Sequence, residues 1–365
     1  MKMEAQGITK EQSACLQGVA ILLMIHHHFF NDLTIYGEAL SFWNPAVAVR
    51  VAWFGKICVG VFAFVSGYGT CKVLEKHGGS GWTTCLRQIL FLLVRYWCVL
   101  LPFMGLFFAL GKRSFEPKEF FLNFCCIETS YNGAFWYVQQ YGIMMILMAL
   151  FHVGLRSLQT LKEKSWRLKA CQRTELIEIS CYGVLALGLC AWIIMAIFLP
   201  GVRGTIKSFL DIIRIAFVAI FFMGWFLAKT RVYEWSFEKV SGIGYPIRAC
   251  IGLILLILIF VVRDRLADSP AYARMDFLLV PVFVLGILLM MGKVEFLQKV
   301  FGGLGRISAY MWLIHLFLFE LTKDFITKYI HSHLLFYLIE LGLNILVGFL
   351  FYCVERKLIK GKYHG

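Results

Sequence analysis

Leu16–Phe30 reads LQGVAILLMIHHHFF, an apolar run that enters a membrane and then sets three histidines in a row, His26, His27 and His28, inside it. At about 1.5 Å per helical residue, His28 lies about 16 Å beyond Gln17, near the middle of a hydrocarbon core about 30 Å thick. An ionisable side chain at that depth is costly unless it is paired or faces a polar cavity, so the triplet is first of all a statement about function.

Composition extends this reading to the whole chain. Sixty per cent of the residues are hydrophobic, only 16% are charged and the mean hydropathy is +0.74, whereas soluble domains carry about 25% charge. Ten apolar runs are long enough to span, at about 13–32, 51–70, 86–108, 135–156, 179–199, 209–228, 246–262, 276–292, 304–322 and 334–353. None alternates with period two, which excludes a barrel. The expected architecture is all-α and polytopic, with residues 1–365 forming one integral-membrane domain. The first run is followed by HHHFFND and no small-residue cleavage site, so it reads as a retained helix and not a signal peptide. Twelve cysteines show no CxxC framework and lie mostly in the spans, where a thiol behaves as a small apolar group. Neither disulfides nor a metal site is expected.

A net charge of +14 suggests nucleic acid in a soluble protein, but here the distribution of charge over the loops carries the information. With the N-terminus inside, inner segments hold roughly twice the Lys and Arg of outer ones. Both termini are therefore expected in the cytoplasm of a multi-pass cell-membrane protein, with the bilayer and no nucleic acid as partner. Much of the excess sits in the 157–178 loop, which suits anionic headgroups.

The second span ends CVGVFAFVSGYGTCKV (58–73). Its small residues Gly60, Ser66, Gly67 and Gly69 permit close helix approach, while the hydroxyls of Ser66 and Tyr68 are available to a ligand near the inner face. The third begins LRQILFLLVRYWCVLLPF (86–103), placing Arg87 near the inner boundary and Arg95 about 12 Å deeper, where it needs an anion, a cavity or a carbonyl. In the fourth, AFWYVQQYG (134–142), Trp136 and Tyr137 suit an interfacial belt, whereas Gln139 and Gln140 need partners. Asp211 and Arg214 read as a structural i,i+3 ion pair, with Asp276 at the same outer level. The ninth, LGRISAYMWLIHLFLFELTKD (304–324), carries Arg306 at its inner end and His315 mid-span, where a lone histidine usually serves packing.

GVAILLMIHHHF (18–29), VGVFAFVSGYG (59–69), RYWCVLLP (95–102), FWYVQQYGIMMIL (135–147) and LGRISAYMWLIH (304–315) occur in that order over the spans. Together they resemble the integral-membrane acyltransferase-3 family over about residues 12–353. The resemblance implies transfer of an acyl group, most often acetyl, from cytoplasmic acyl-CoA to a hydroxyl of a cell-envelope glycan or related acceptor. The family's first-helix histidine falls on His28. Its arginine eleven positions earlier is Gln17 here, which leaves Arg87, Arg95 and Arg306 as donor-side cations. No hydrolase-like domain is expected after the tenth span, so the membrane domain itself must complete the transfer.

The residues make chemical sense of such a reaction. Transfer to a hydroxyl needs a base, and imidazole titrates nearest neutrality. His28 is expected to be that base, with Asp32 at i,i+4 to orient it and His27 paired in the same register with Asn31. Direct attack and an acyl-histidine intermediate both stay open. The inner arginines, with Ser66 and Tyr68, are expected to hold acyl-CoA, acetyl-CoA above all, without a metal. Trp136, Tyr137, Gln140 and His315 are assigned to a carbohydrate acceptor. The alternatives are a transporter or flippase for an envelope precursor, which usually shows internal repeats, and a metal or haem protein. Consecutive helical histidines point about 100° apart, which does not suit ligation of one ion.

Overall fold

The computed structural model describes residues 7–77, 81–165, 212–267, 275–292 and 294–360. Among these, the helices are α1 (Lys10–Phe30), α2 (Pro45–Gly55), α3 (Ile57–His77), α4 (Gly81–Ala109), α5 (Pro117–Phe124), α6 (Trp136–Ser165), α7 (Ile212–Lys229), α8 (Val232–Val240), α9 (Tyr245–Arg265), α10 (Asp276–Met291), α11 (Glu295–Tyr329) and α12 (His333–Lys360). Short 3-10 turns occupy Leu33–Tyr36 and Gly133–Phe135. Among the described residues no strand forms; Ser41 and Ser332 make one isolated bridge. Among the described residues seven helices are long and apolar enough to cross a bilayer, or eight with the α7–α8 pair, which bends by 62°. Nine of the ten expected spans fall on described helices, while the fifth, 179–199, lies outside the described residues. The chain is an all-α multi-pass membrane protein.

Helix α1 starts on a capping box. Thr9 Oγ1 accepts the Gln12 N–H at 3.2 Å, and Gln12 Oε1 accepts the Thr9 N–H at 2.8 Å, which satisfies two donors that a helix start otherwise leaves orphaned. The helix stops at Phe30: the Asn31 N–H still reaches the His27 carbonyl, but Asp32 is extended at φ −138°, ψ 108° and caps the next 3-10 turn. Helix α11 has 35 residues, about 52 Å at helical rise, and so extends beyond a hydrocarbon core of about 30 Å.

Two seams hold the centre together, and glycine makes both possible. A Cβ at Gly18 would run into the Phe301 carbonyl of α11, and one at Gly305 into the backbone of Ala14 on α1. Across α3 and α7 the same reciprocity holds for Gly67 against Phe221 and Gly224 against Phe64. Lipid supplies no hydrophobic drive between helices, so such backbone approaches and their dispersion contacts carry the association. Of the small residues singled out in α3, Gly67 sits in a seam and Gly60 faces Val280, whereas Gly69 has open space around it. Helices α9 and α12 lie at the periphery and turn Leu253, Ile254, Leu258, Leu346 and Leu350 outward, as lipid-facing surfaces require.

Buried charge is matched across helices. Arg263 of α9 pairs with Asp276 at the start of α10, and both are buried. Of the expected Asp211–Arg214 pair, Asp211 lies outside the described residues, and the Arg214 carbonyl accepts a hydrogen bond from Gln140 at 3.0 Å.

Candidate active site

A cavity of about 940 Å³ lies between α1, α3, α4, α6 and α11. Val73, Thr83, Thr84 and Arg87 line it where α3 ends and α4 begins; His27, His28, Lys56, Trp136 and Trp312 line it deeper in the bundle. The polar face of α1 supplies the histidines, and the α1–α11 seam fixes their depth against α11.

The three histidines separate as the helical spacing predicts. His26 turns away from the cavity and packs edge-on against Phe30 and Tyr337, at ring-centroid distances of 5.0 and 5.5 Å. His27 and His28 both line the cavity, with centroids 5.2 Å apart. His27 Nδ1 lies 2.8 Å from the Ala52 carbonyl. A carbonyl can only accept, which assigns the proton to Nδ1 and leaves Nε2 with a lone pair.

Behind His28 stands His315, fully buried, with centroids 4.9 Å apart. Its Nδ1 donates to the Trp312 carbonyl at 2.6 Å, and its Nε2 is buried with no hydrogen-bond partner. His315 therefore does not line the cavity on the acceptor side; it braces the histidine that does.

Asp32 does not take the place that its spacing suggested. Because α1 ends at Phe30, the i,i+4 register with His28 is never formed. The exposed carboxylate instead accepts the Thr34 N–H at 3.0 Å and the Thr34 hydroxyl at 2.6 Å. The Thr34 hydroxyl, and then its N–H, hold this carboxyl below the ordinary Asp range. Among the described residues no carboxylate pairs with His27 or His28.

The donor-side residues divide. Ser66, Arg87 and Arg95 line the cavity, as does Gln17, which stands where the family arginine would be. Arg95 already has an anionic partner: its Nε and Nη2 donate to the two carboxylate oxygens of Glu355 at 2.8 and 3.2 Å, and the guanidinium lies 5.8 Å from the Tyr310 ring centroid. Tyr68 is elsewhere, its hydroxyl taken by the Ile8 N–H at 3.0 Å on the far side of α3. Arg306 is exposed at the start of the α11 span and does not line the cavity.

On the acceptor side, Trp136 and Tyr137 line the cavity, and the Tyr137 hydroxyl is buried without a partner. Gln140 is outside it and tied to Arg214. Gln139 is likewise satisfied by the carbonyls of Cys126 and Ile127 at 2.9 and 2.8 Å.

Sequence reasoning passed over four lining groups. Lys56 interrupts the apolar run between α2 and α3, and its ammonium lies 5.2 Å from the Trp53 ring centroid. Trp312 packs against Tyr137 at 5.5 Å. Tyr141 donates to Gln88 Oε1 at 3.0 Å across the wall. A lysine standing inside an apolar run, at Lys56, was the one signal available in advance.

The arrangement brings the guanidinium groups of Arg87 and Arg95 and the imidazoles of His27 and His28 into one volume, which suits an anionic ligand. The sequence matches the family model described as an acyltransferase domain over residues 14–353, nearly the whole chain. No curated protein and no solved structure matches it.

Proposed function

Since this chain belongs to the acyltransferase-3 family of membrane acyltransferases, we propose that it moves an acyl group, acetyl in the first instance, from cytoplasmic acyl-CoA to a hydroxyl of an extracytoplasmic glycan, with His28 as general base. The observation that carries this reading is the shared cavity. Arg87 and Arg95 stand along the same wall that leads to His27 and His28. Guanidinium groups recognise phosphate oxygens as charge-assisted pairs, which suits the phosphates of CoA, with Thr83, Thr84 and Ser66 supplying hydroxyls along its length.

In this mechanism His28 accepts the proton of the acceptor hydroxyl as its oxygen attacks the thioester carbonyl carbon. The C–O bond forms, the C–S bond breaks, and the imidazolium returns its proton to the departing sulfur, which leaves as the CoA thiol. Lys56 lines the same end of the cavity, where an ammonium stabilises the oxyanion of the tetrahedral intermediate. His315 is a positioning residue, since its ring limits the orientation of His28 from behind. The bias of basic loops supports a cytoplasmic position for the arginine end of the cavity, where acyl-CoA resides.

The test uses purified protein in nanodiscs with radiolabelled acetyl-CoA and isolated envelope glycan. The expected result is CoA release coupled to label on the glycan as an alkali-labile ester. Tight acetyl-CoA binding without either product, under conditions where the glycan is present, would reject the transferase reading.

A further inference from the structure

A second cavity, about 420 Å³, lies against α11 beyond the first. Leu316, Phe319, Glu320 and Lys323 line it, where Ser308 and Trp312 line the first, so one stripe of α11 serves both. The 3-10 turn before α6 divides the same way, with Tyr131, Asn132 and Gly133 facing the second cavity and Ala134, Trp136 and Tyr137 the first. Only one helical turn, about 6 Å, separates Trp312 from Leu316. Between the two linings stand the Trp312–Tyr137 ring contact at 5.5 Å and the Asn132 amide, which donates to the Leu313 carbonyl at 3.3 Å.

The chemistry of the second cavity differs from that of the first. Lys112, Arg113 and Lys323 set three positive charges against the two carboxylates of Glu320 and Asp324, a surplus of one cation. Arg113 is paired with Glu320 at 2.9 Å and lies 5.7 Å from the Tyr131 ring centroid. Lys112 reaches a backbone carbonyl, Glu320 O, at 3.3 Å, and Lys323 lies 3.5 Å from Asp324, whose side chain is largely exposed. Tyr131 is 2% exposed, and its hydroxyl has no hydrogen-bond partner. A buried phenol left unsatisfied in a cavity wall is a group that a polar ligand completes. Aromatic faces, a vacant hydroxyl and a surplus cation together suit a hydroxylated ring that carries an anion.

We propose that this second cavity is an acceptor vestibule that holds an acidic sugar unit, one bearing a carboxylate or phosphate, beside the transfer site. The proposal rests on the reading of the His28 cavity as the site of acyl transfer. The sugar's neighbour reaches His28 by parting the Trp312–Tyr137 contact.

The experiment measures binding of tetragalacturonic acid and of maltotetraose to the full-length protein in phosphatidylcholine nanodiscs by calorimetry, without acyl-CoA. The expected result is that tetragalacturonic acid binds and maltotetraose binds about tenfold more weakly or not at all. The K112Q/K323Q variant, checked for unchanged thermal unfolding, should lose about tenfold in affinity for the acid, and the loss should shrink at high salt. Tyr131→Phe provides a second variant that keeps the ring and removes the vacant hydroxyl, and it should also bind more weakly. Equal affinity for the two saccharides, or an acid affinity unmoved by both variants, overturns the proposal. So does abolition of saccharide binding in phosphatidylglycerol nanodiscs, which would assign the cavity to a lipid headgroup. CoA release from acetyl-CoA is scored separately on the parent protein, so a failed transfer reaction and a failed vestibule give different patterns.

Discussion

Glu355 holds Arg95, the arginine proposed to meet the donor, so neutralising it should tighten acetyl-CoA binding if that proposal holds. Two charge-assisted hydrogen bonds at 2.8 and 3.2 Å join Arg95 and Glu355, whose side chains are 33% and 12% exposed. Exposed pairs contribute about 0–1 kcal/mol, and breaking a fully buried one costs about 3–5. At intermediate burial, and after discounting for solvent, losing either partner should cost about 1–2 kcal/mol of stability. Glu355→Gln keeps the shape and a hydrogen-bond acceptor but removes the negative charge that competes with an anionic ligand for Arg95. Its acetyl-CoA affinity should rise about three- to tenfold, whereas Arg95→Met should lower it by at least as much. Isothermal titration in nanodiscs reads the affinities, and thermal unfolding reads the stability of both single variants and the double. If Glu355→Gln binds acetyl-CoA no better than the parent, Arg95 is a structural cation and the donor phosphates sit elsewhere.

Gly305→Leu should separate α1 from α11, because even a Cβ there meets the Ala14 backbone; a thermal-unfolding loss of about 2 kcal/mol or more, with activity lost in parallel, is expected. Asp32→Asn should leave transfer within about twofold of the parent, since that carboxylate caps a surface turn and does not reach His28. The Asp32 carboxyl titrates below its ordinary value, so its contribution to folding is present above the unfolded Asp value of about 3.9 and is lost as pH falls through the lowered one. Melting temperatures of parent and Asp32→Asn should therefore converge only at strongly acidic pH. Lys56→Met should lower kcat by about tenfold or more with little change in acetyl-CoA affinity; a change confined to KM would place Lys56 on the donor and not at the reacting carbonyl.

Much of the architecture was legible because hydropathy over about 20 residues is decided by the bilayer and not by distant contacts. The divergence of His26 from His28 was legible for a similar reason, since helical spacing alone turns neighbouring side chains apart. What escaped depends on where helices end and on pairs remote in sequence. The i,i+4 argument for Asp32 assumed a helix that continued, but the chain leaves α1 at Phe30 and the aspartate caps the turn that follows. Glu355 lies 260 residues from Arg95, and nothing in either local pattern announces the other. His315 was assigned to the acceptor, but it is absent from the cavity lining and packs against His28 instead. Tyr68 and Gln140 were singled out for their polar groups. Both satisfy backbone partners away from the cavity, the Ile8 N–H and the Arg214 carbonyl.

The central claim is that His28 moves the proton in acyl transfer. Its most direct test is the single-turnover rate of acetyl transfer to glycan by purified His28→Ala, compared with His26→Ala and His27→Ala under saturating acetyl-CoA. His28→Ala should lose about 10²-fold or more while still binding acetyl-CoA. His27→Ala, which removes the ring held by Ala52, should fall between, and His26→Ala, which faces Phe30 and Tyr337, should stay near the parent. Transfer at the parent rate by His28→Ala would contradict the account, as would equal losses at all three positions.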